Sequence, residues 1–499
     1  MQSLLAWFQR ILLTLGDFLN WFWNGLSRPK RKEWCAVFYF VGQGNGLRLP
    51  VSEPKGLDGK IREKIDALRL VSTEHGDTIH IVYRAVWKSE EPPVAEVMAS
   101  SLWPPAAWGF FGYQPTSPTV NLTKDLPSFL KWAYQWCPAE HYALFFWGHS
   151  FGPAGLFSPG AGINIPSPLG LASLREALEG FHAERAVASH PQEHAYVTRS
   201  VEQTASAPVP VPGDSPIDRA KAILDWANTK LDVVLFEDCW MSTLETAYEL
   251  QDEVRYVIAS QSLLPIGSDD ANFVWPYQDL LGALAAGAVD WQDLLAARIL
   301  AFYQHSPSTF YSEKSEANDP PALRTVPIAL LDLAAVPAIT APLRAFVSAM
   351  QNQLKPTRGK NIVEGGRIFS DNGPNGVWAG DAALVDVVRL CLNMEAQVSD
   401  VTLAATALEL RRALWHDVGD PQTLERSLIR WRGEAVPCHP RVGGAEMPPL
   451  QFKGVSVLYW PPGGPEDECI TLSLDSAFYN SLRFSRDVKK WPALEQQKP

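Results

Sequence analysis

The hydrophobic pattern along the chain switches between two periods. CAVFYFVG, 35–42, is an unbroken apolar run of strand length that ends in the glycine-rich GQGNG, as a strand buried on both faces would. A charged stretch with helical spacing, 60–70, separates it from a second apolar run, IHIVYRAVW, 79–87. TKDLPSFLKWAYQW then predicts an amphipathic helix, with Leu126, Phe129, Leu130, Ala133 and Trp136 on one face and Thr123 as its cap. It leads directly into a strand at 142–147. LDVVLF, 231–236, and VRYVIAS, 254–260, predict two more strands. Between them EDCWMSTLETAYEL carries a helix capped by Ser242 or Thr243, with Leu244, Ala247 and Tyr248 turned inward.

Strands alternating with helices predict an α/β fold with a mostly parallel sheet covered by helices on both faces. Such sheets bind ligands beyond the carboxyl ends of their strands, where His149 and Cys239 both fall. The segment 181–214, with SAPVPVPGDSP, lacks periodicity and predicts an exposed flexible loop. From Thr325 onward the composition turns helical again, with LRAFVSAM and VTLAATALELRRALW, before a late strand GVSVLYW. The expected organisation is therefore an N-terminal segment 1–32, a core 33–325 and a C-terminal region 326–499 packed on that core. The N-terminal segment places Leu4, Leu5, Phe8, Ile11, Leu12, Leu15, Phe18, Leu19, Phe22, Trp23 and Leu26 at helical spacing. It predicts an amphipathic helix that lies in a membrane surface, with Arg28 to Lys32 near anionic headgroups, or docks on a regulatory protein.

Composition narrows the partners. With 43 basic and 55 acidic residues in 499, the net charge of −12 gives no field that attracts nucleic acid, which is not expected as a partner. The six cysteines form no C-x-x-C pair, which argues against a zinc ribbon or disulfide framework and for a reducing, cytoplasmic setting. With the N-terminal helix, the expected location is cytoplasmic, peripheral at the inner membrane face.

Gly148-His149-Ser150-Phe151-Gly152 fits the G-x-S-x-G nucleophile elbow of a serine α/β-hydrolase. An elbow needs a helix straight after its serine, and PAGLFSPGAG is a poor helix former. The other reading makes His149 the base and Cys239 the nucleophile, since a thiol at a strand end before a helix, beside a histidine, is placed to ionise. A lone cysteine in such a place also reads as a small buried residue.

EWCAVFYFVGQGNGL, LKWAYQWCPAEHYALFFWGHS, LDVVLFEDCWMSTLETAYELQDEVRYVIASQ, WPY at 275–277, GVSVLYWP and YNSLRFSRDVKKW together resemble, in order, the clostripain family of caspase-like cysteine peptidases. The resemblance implies a caspase-like fold and a Cys239–His149 dyad acting through an acyl-enzyme, with the backbone N–H groups of Cys239 and Ser150 as oxyanion hole. The family's usual glycine after the histidine is here Ser150. It also implies protein or peptide substrates cleaved after Arg or Lys. Glu237 stands in the place of an acid two before the cysteine, with Asp269 and Asp270 as further pocket acids. Self-cleavage between the histidine and cysteine segments, at Arg185 or Arg199, is implied as well. Some members use calcium; no EF-hand loop or compact acidic cluster is visible here, so no cofactor is read from the residues and calcium stays open through the resemblance alone. A catalytically silent caspase-like scaffold is the rival from another class.

Overall fold

The computed structural model describes residues 31–42, 56–86, 94–98, 121–150, 152–157, 169–189, 230–262, 264, 274–305, 326–353, 384–415, 427–435, 452–458, 479 and 481–488. The apolar runs become strands because each is buried on both sides. They are β1 (Lys32–Val41), β2 (Ile79–Val86), β4 (Ala139–Trp147), β5 (Leu231–Glu237) and β6 (Val254–Ser260), and β1 pairs with β2 and β4 in parallel, as β5 does with β4 and β6. Antiparallel strands extend both margins: β3 (Val94–Met98) beside β2, and β7 (Val326–Asp332) followed by β9 (Ile429–Ala435) beside β6. The order of the eight-stranded sheet is β3-β2-β1-β4-β5-β6-β7-β9.

Helices cover both faces, as one strand demonstrates. Phe38 of β1 meets Tyr277 of α5 (Tyr277–Ala285) edge-on at 5.1 Å, while its neighbour Tyr39 lies 5.9 Å from Phe129 of α2 (Leu122–Trp136). Alternate side chains of a strand point to opposite faces, so these two helices lie on opposite sides of the sheet. On the Tyr277 side α5 packs with α1 (Gly56–His75) and α6 (Trp291–His305). On the other, α2 packs with α3 (Leu171–Ser189), and α3 with α4 (Leu244–Leu250). Phe38 stacks on Phe145 at 4.3 Å on one face of the sheet and Phe146 on Phe236 at 5.6 Å on the other, which ties β1 to β4 and β4 to β5.

Several expectations shift. The helix before β4 is capped by Asn121, whose side chain accepts the Thr123 N–H at 3.1 Å, and not by Thr123. Residues 181–189, expected in a loop, complete α3, where Phe181 packs edge-on against Tyr134 and Tyr142. Lys32 opens β1, so the leader ends before it; the amphipathic helix expected from 1–32 otherwise lies outside the described residues, as does the Pro-rich stretch near Pro208. Residues 326–332, expected within a helical region, are β7, bonded between β6 and β9.

The C-terminal region, expected to pack on the core, supplies β7 and β9 to the main sheet itself and makes a further contact with the core through a small second sheet. Strands β8 (Leu384–Asp386) and β10 (Ser456–Leu458) pair antiparallel. Ser242, just before α4, donates its hydroxyl to the Gly454 carbonyl at 2.6 Å and accepts the Ser456 N–H on its own carbonyl at 3.0 Å. Gln261, just past β6, donates to Ser456 Oγ at 2.9 Å and to Asp386 Oδ2 at 3.2 Å. Asp386 also accepts the Lys453 N–H at 2.6 Å and caps α8 (Val387–Gln397) by accepting the Arg389 N–H at 2.9 Å. One buried carboxylate thus serves three segments. Asp386→Ala removes a helix cap and strands buried donors, and should cost about 2–4 kcal/mol. The fall in urea midpoint at unchanged slope would measure it, and a midpoint equal to wild type would show that the three bonds contribute nothing.

Candidate active site

The chain leaves β1 for β2 on one side and later returns to place β4 on the other, so the order reverses between β1 and β4. Ligands of open parallel sheets bind at this kind of switch point, outside the carboxyl ends of the strands. Beside it β4 and β5 run in parallel register from Ala143↔Val233 to Trp147↔Glu237. His149 and Cys239 each stand two residues past that last pair. They are 8% and 7% exposed, enclosed at the end of the sheet without being sealed from it.

The turn after each strand is fixed by sequence. A Cβ on Gly148 would lie 2.8 Å from the Phe157 ring and 3.0 Å from the Val41 carbonyl, so only glycine fits. The chain then folds back: Leu156 bridges to Ser150 and Leu169, and the Phe157 N–H donates to the His149 carbonyl at 2.5 Å. Ser150 donates its hydroxyl to the Cys239 carbonyl at 2.5 Å, which joins the two turns. On the cysteine side Trp240 has φ 55°, a left-handed backbone that a bulky residue adopts only when its surroundings enforce it. Those surroundings are the segment after β6. Ser262 accepts the Trp240 N–H at 3.1 Å, Ser260 accepts the Ser242 N–H at 2.9 Å, and the Leu264 N–H donates to Cys239 Sγ at 3.3 Å. Thr243 then caps α4, accepting the Thr246 N–H at 3.1 Å.

Ser150 fails the test of an elbow. A 3₁₀ turn, Gly152–Ala154, follows it in place of a helix, and its 1% exposed side chain is spent on the Cys239 carbonyl.

Residues 217–373, which contain Cys239 and the strands β5, β6 and β7, match the profile described as the clostripain family. Over that segment the chain is similar to the clostripain family of cysteine peptidases. Two solved structures share the fold of this chain. One is an inactive zymogen C11 protease from Parabacteroides distasonis, 15% identical, with a TM-score of 0.51 over 92% of this chain and 99% of that one. The other is a secreted C11 cysteine protease from Bacteroides thetaiotaomicron in complex with an irreversible peptide inhibitor, also 15% identical, with a TM-score of 0.50 over 91% of this chain and 98% of that one. No curated protein matches the chain.

The carboxylates beside the cysteine are not arranged as the sequence suggests. Glu237, expected to face a substrate, is held inside the protein. Its carboxylate is ion-paired with Lys64 of α1 and accepts the Tyr277 hydroxyl at 2.6 Å. Burial pushes Glu237 up and Lys64 down, and the charge of each opposes the shift of the other. Nothing in the pattern around Lys64 singled it out. Asp269, Asp270 and Arg199 lie outside the described residues, whereas Arg185 falls inside α3. Among the described residues no group of three or more His, Cys, Asp or Glu could hold a metal ion.

Asp238, between Glu237 and the cysteine, is 1% exposed, and burial pushes its carboxyl up to about 8 although the Gly148 N–H faces it. Such a carboxyl keeps its proton over a range in which the unfolded chain, near 3.9, has lost it. Its contribution to stability is therefore complete below about pH 4 and drains away as the pH rises toward 8. Asp238→Asn carries no such proton. Between pH 5 and pH 8 the variant should lose less stability to denaturant than wild type, and parallel curves for the two would show that Asp238 titrates in the fold as it does unfolded.

Proposed function

We propose that the peptidase is an endopeptidase in which Cys239 attacks and His149 moves the proton. The supporting observation is the shared register of β4 and β5, which carries both residues to the same end of the sheet, with the Leu264 N–H aimed at the sulfur. A backbone donor on sulfur becomes a charge-assisted hydrogen bond once the thiol ionises.

In this reading the thiol proton passes to His149 as Sγ adds to the scissile carbonyl. The backbone N–H groups of Cys239 and Ser150 receive the oxyanion, and the hydroxyl of Ser150 holds the two turns together so that the donors stay in place. Collapse of the tetrahedral intermediate expels the amine, which takes the proton from His149 and leaves a thioester on Cys239. Water, deprotonated by His149, then hydrolyses it. An arginine or lysine at P1 has Glu237 as its expected partner, and that carboxylate already holds Lys64 and Tyr277.

Self-cleavage between His149 and Cys239 belongs to the same reading. A protease takes its substrate extended, which disfavours Arg185 within α3; Arg199 is the other arginine that the resemblance implies, and a tethered segment is cut at high effective concentration even where its P1 residue is not the preferred one. Cys239→Ala should lower peptide cleavage by at least about 10³-fold and keep the purified chain in one piece. Ser150→Ala should retain activity within about tenfold, since it loses one positioning hydrogen bond. Cleavage that survives loss of Cys239 would overturn the dyad, and activity lost equally with Ser150 would revive the serine.

A further inference from the structure

Lys64 stands on the wrong face of its helix for a lysine. In α1 the buried positions Ile61, Ile65 and Leu68 form one stripe, and Lys64 lies on that stripe with its side chain 0% exposed. A buried ammonium is stable only when paired, and this one is fully provided for. Its Nζ meets the Glu237 carboxylate, lies 3.4 Å from the Tyr277 hydroxyl, and sits 5.1 Å from the Trp147 ring centroid and 5.5 Å from that of Tyr277. Trp147 is the residue paired with Glu237 in the sheet, two before His149, and Glu237 is two before Cys239. The ammonium therefore sits against the last paired residues of β4 and β5, from which the chain runs on to His149 and Cys239.

The charges at the end of β5 then cancel. Glu237 is balanced by Lys64, and Asp238, pushed up to about 8, is neutral at pH 7. A cationic substrate side chain brought here would enter a desolvated region beside a lysine already in possession of the carboxylate, and neither Glu237 nor Asp238 would supply a counter-charge for the hydration it loses. An anionic side chain would find the lysine's charge equally spent. An uncharged side chain meets aromatic rings and a satisfied polar pair at no such cost.

We infer that Lys64 sets the specificity of the peptidase: by occupying Glu237 from inside the protein, it turns the site toward substrates with an uncharged residue at P1. The inference rests on the peptidase reading and specifies its substrate class. Full-length protein would be tested on a fluorogenic peptide panel carrying Arg, Lys, Asp, Ala, Leu or Gln at P1, alongside labelling of Cys239 by acyloxymethyl ketones with the same side chains. Wild type should favour uncharged P1 over Arg, Lys and Asp by at least about tenfold in kcat/KM. Lys64→Met frees the carboxylate and should shift the ranking toward Arg and Lys by at least about tenfold, while Lys64→Met with Glu237→Met should return it to uncharged P1. Thermal melts check that each variant is folded. If Lys64→Met is not, the wild-type ranking decides alone. Arg, Lys or Asp ranking first in wild type would overturn the inference and leave the peptidase standing. Silence across the panel with no adduct on Cys239 would overturn the peptidase reading and the inference with it.

Discussion

Everything at this site depends on two parallel strands ending in register. Because β4 and β5 pair from Ala143↔Val233 to Trp147↔Glu237, equal steps beyond the last pair bring a histidine and a cysteine into one place. A slip of one residue would turn every side chain of a strand to the opposite face, and Phe146 would lose its stacking on Phe236. The aromatic stacks that tie β1 to β4 and β4 to β5 therefore do more than fill the core, since they fix the alignment that carries His149 and Cys239 to the same end of the sheet.

The end of the sheet also shows what must be done with charge where solvent is excluded. Three consecutive residues, Glu237, Asp238 and Cys239, bring three ionisable groups into a nearly closed space, and each is handled differently. The glutamate receives an internal lysine, the aspartate retains its proton, and the thiol faces a backbone N–H. Neutralising the first two leaves the sulfur as the group whose charge is free to change during a reaction. Buried ion pairs contribute little net stability, so the pair of Lys64 and Glu237 is better understood as a local electrostatic setting than as a brace.

The sequence made visible what periodicity and ordered motifs can carry. Residues 35–42, 231–236 and 254–260 were legible because strands buried on both faces are unbroken apolar runs, and all three became strands. The edges were not. β9 reads IRWRGEA, with charges suited to an exposed margin, and β7 merges into the apolar helix α7 (Val336–Gln353), so no change of period marks where strand gives way to helix. His149 and Cys239 were legible from their places after strands and from the resemblance. The partner of Glu237 was not, because Lys64 lies 173 residues away and a lysine on an amphipathic helix normally faces water.

The loop that carries Cys239 is built from distant parts of the chain. Cys239 through Ser242 are held by Ser260, Ser262 and Leu264, and Ser242 is held again by Gly454 and Ser456. A ribosome delivers these pieces in order, with the cysteine present long before the strand that braces it. While some two hundred further residues are still being made, the bonds from Gly454 and Ser456 do not exist, and the left-handed turn at Trp240 lacks part of what enforces it. The geometry thus acts as a clock, and a nascent chain carries Cys239 through some two hundred further residues of synthesis without the complete cradle that holds it in place.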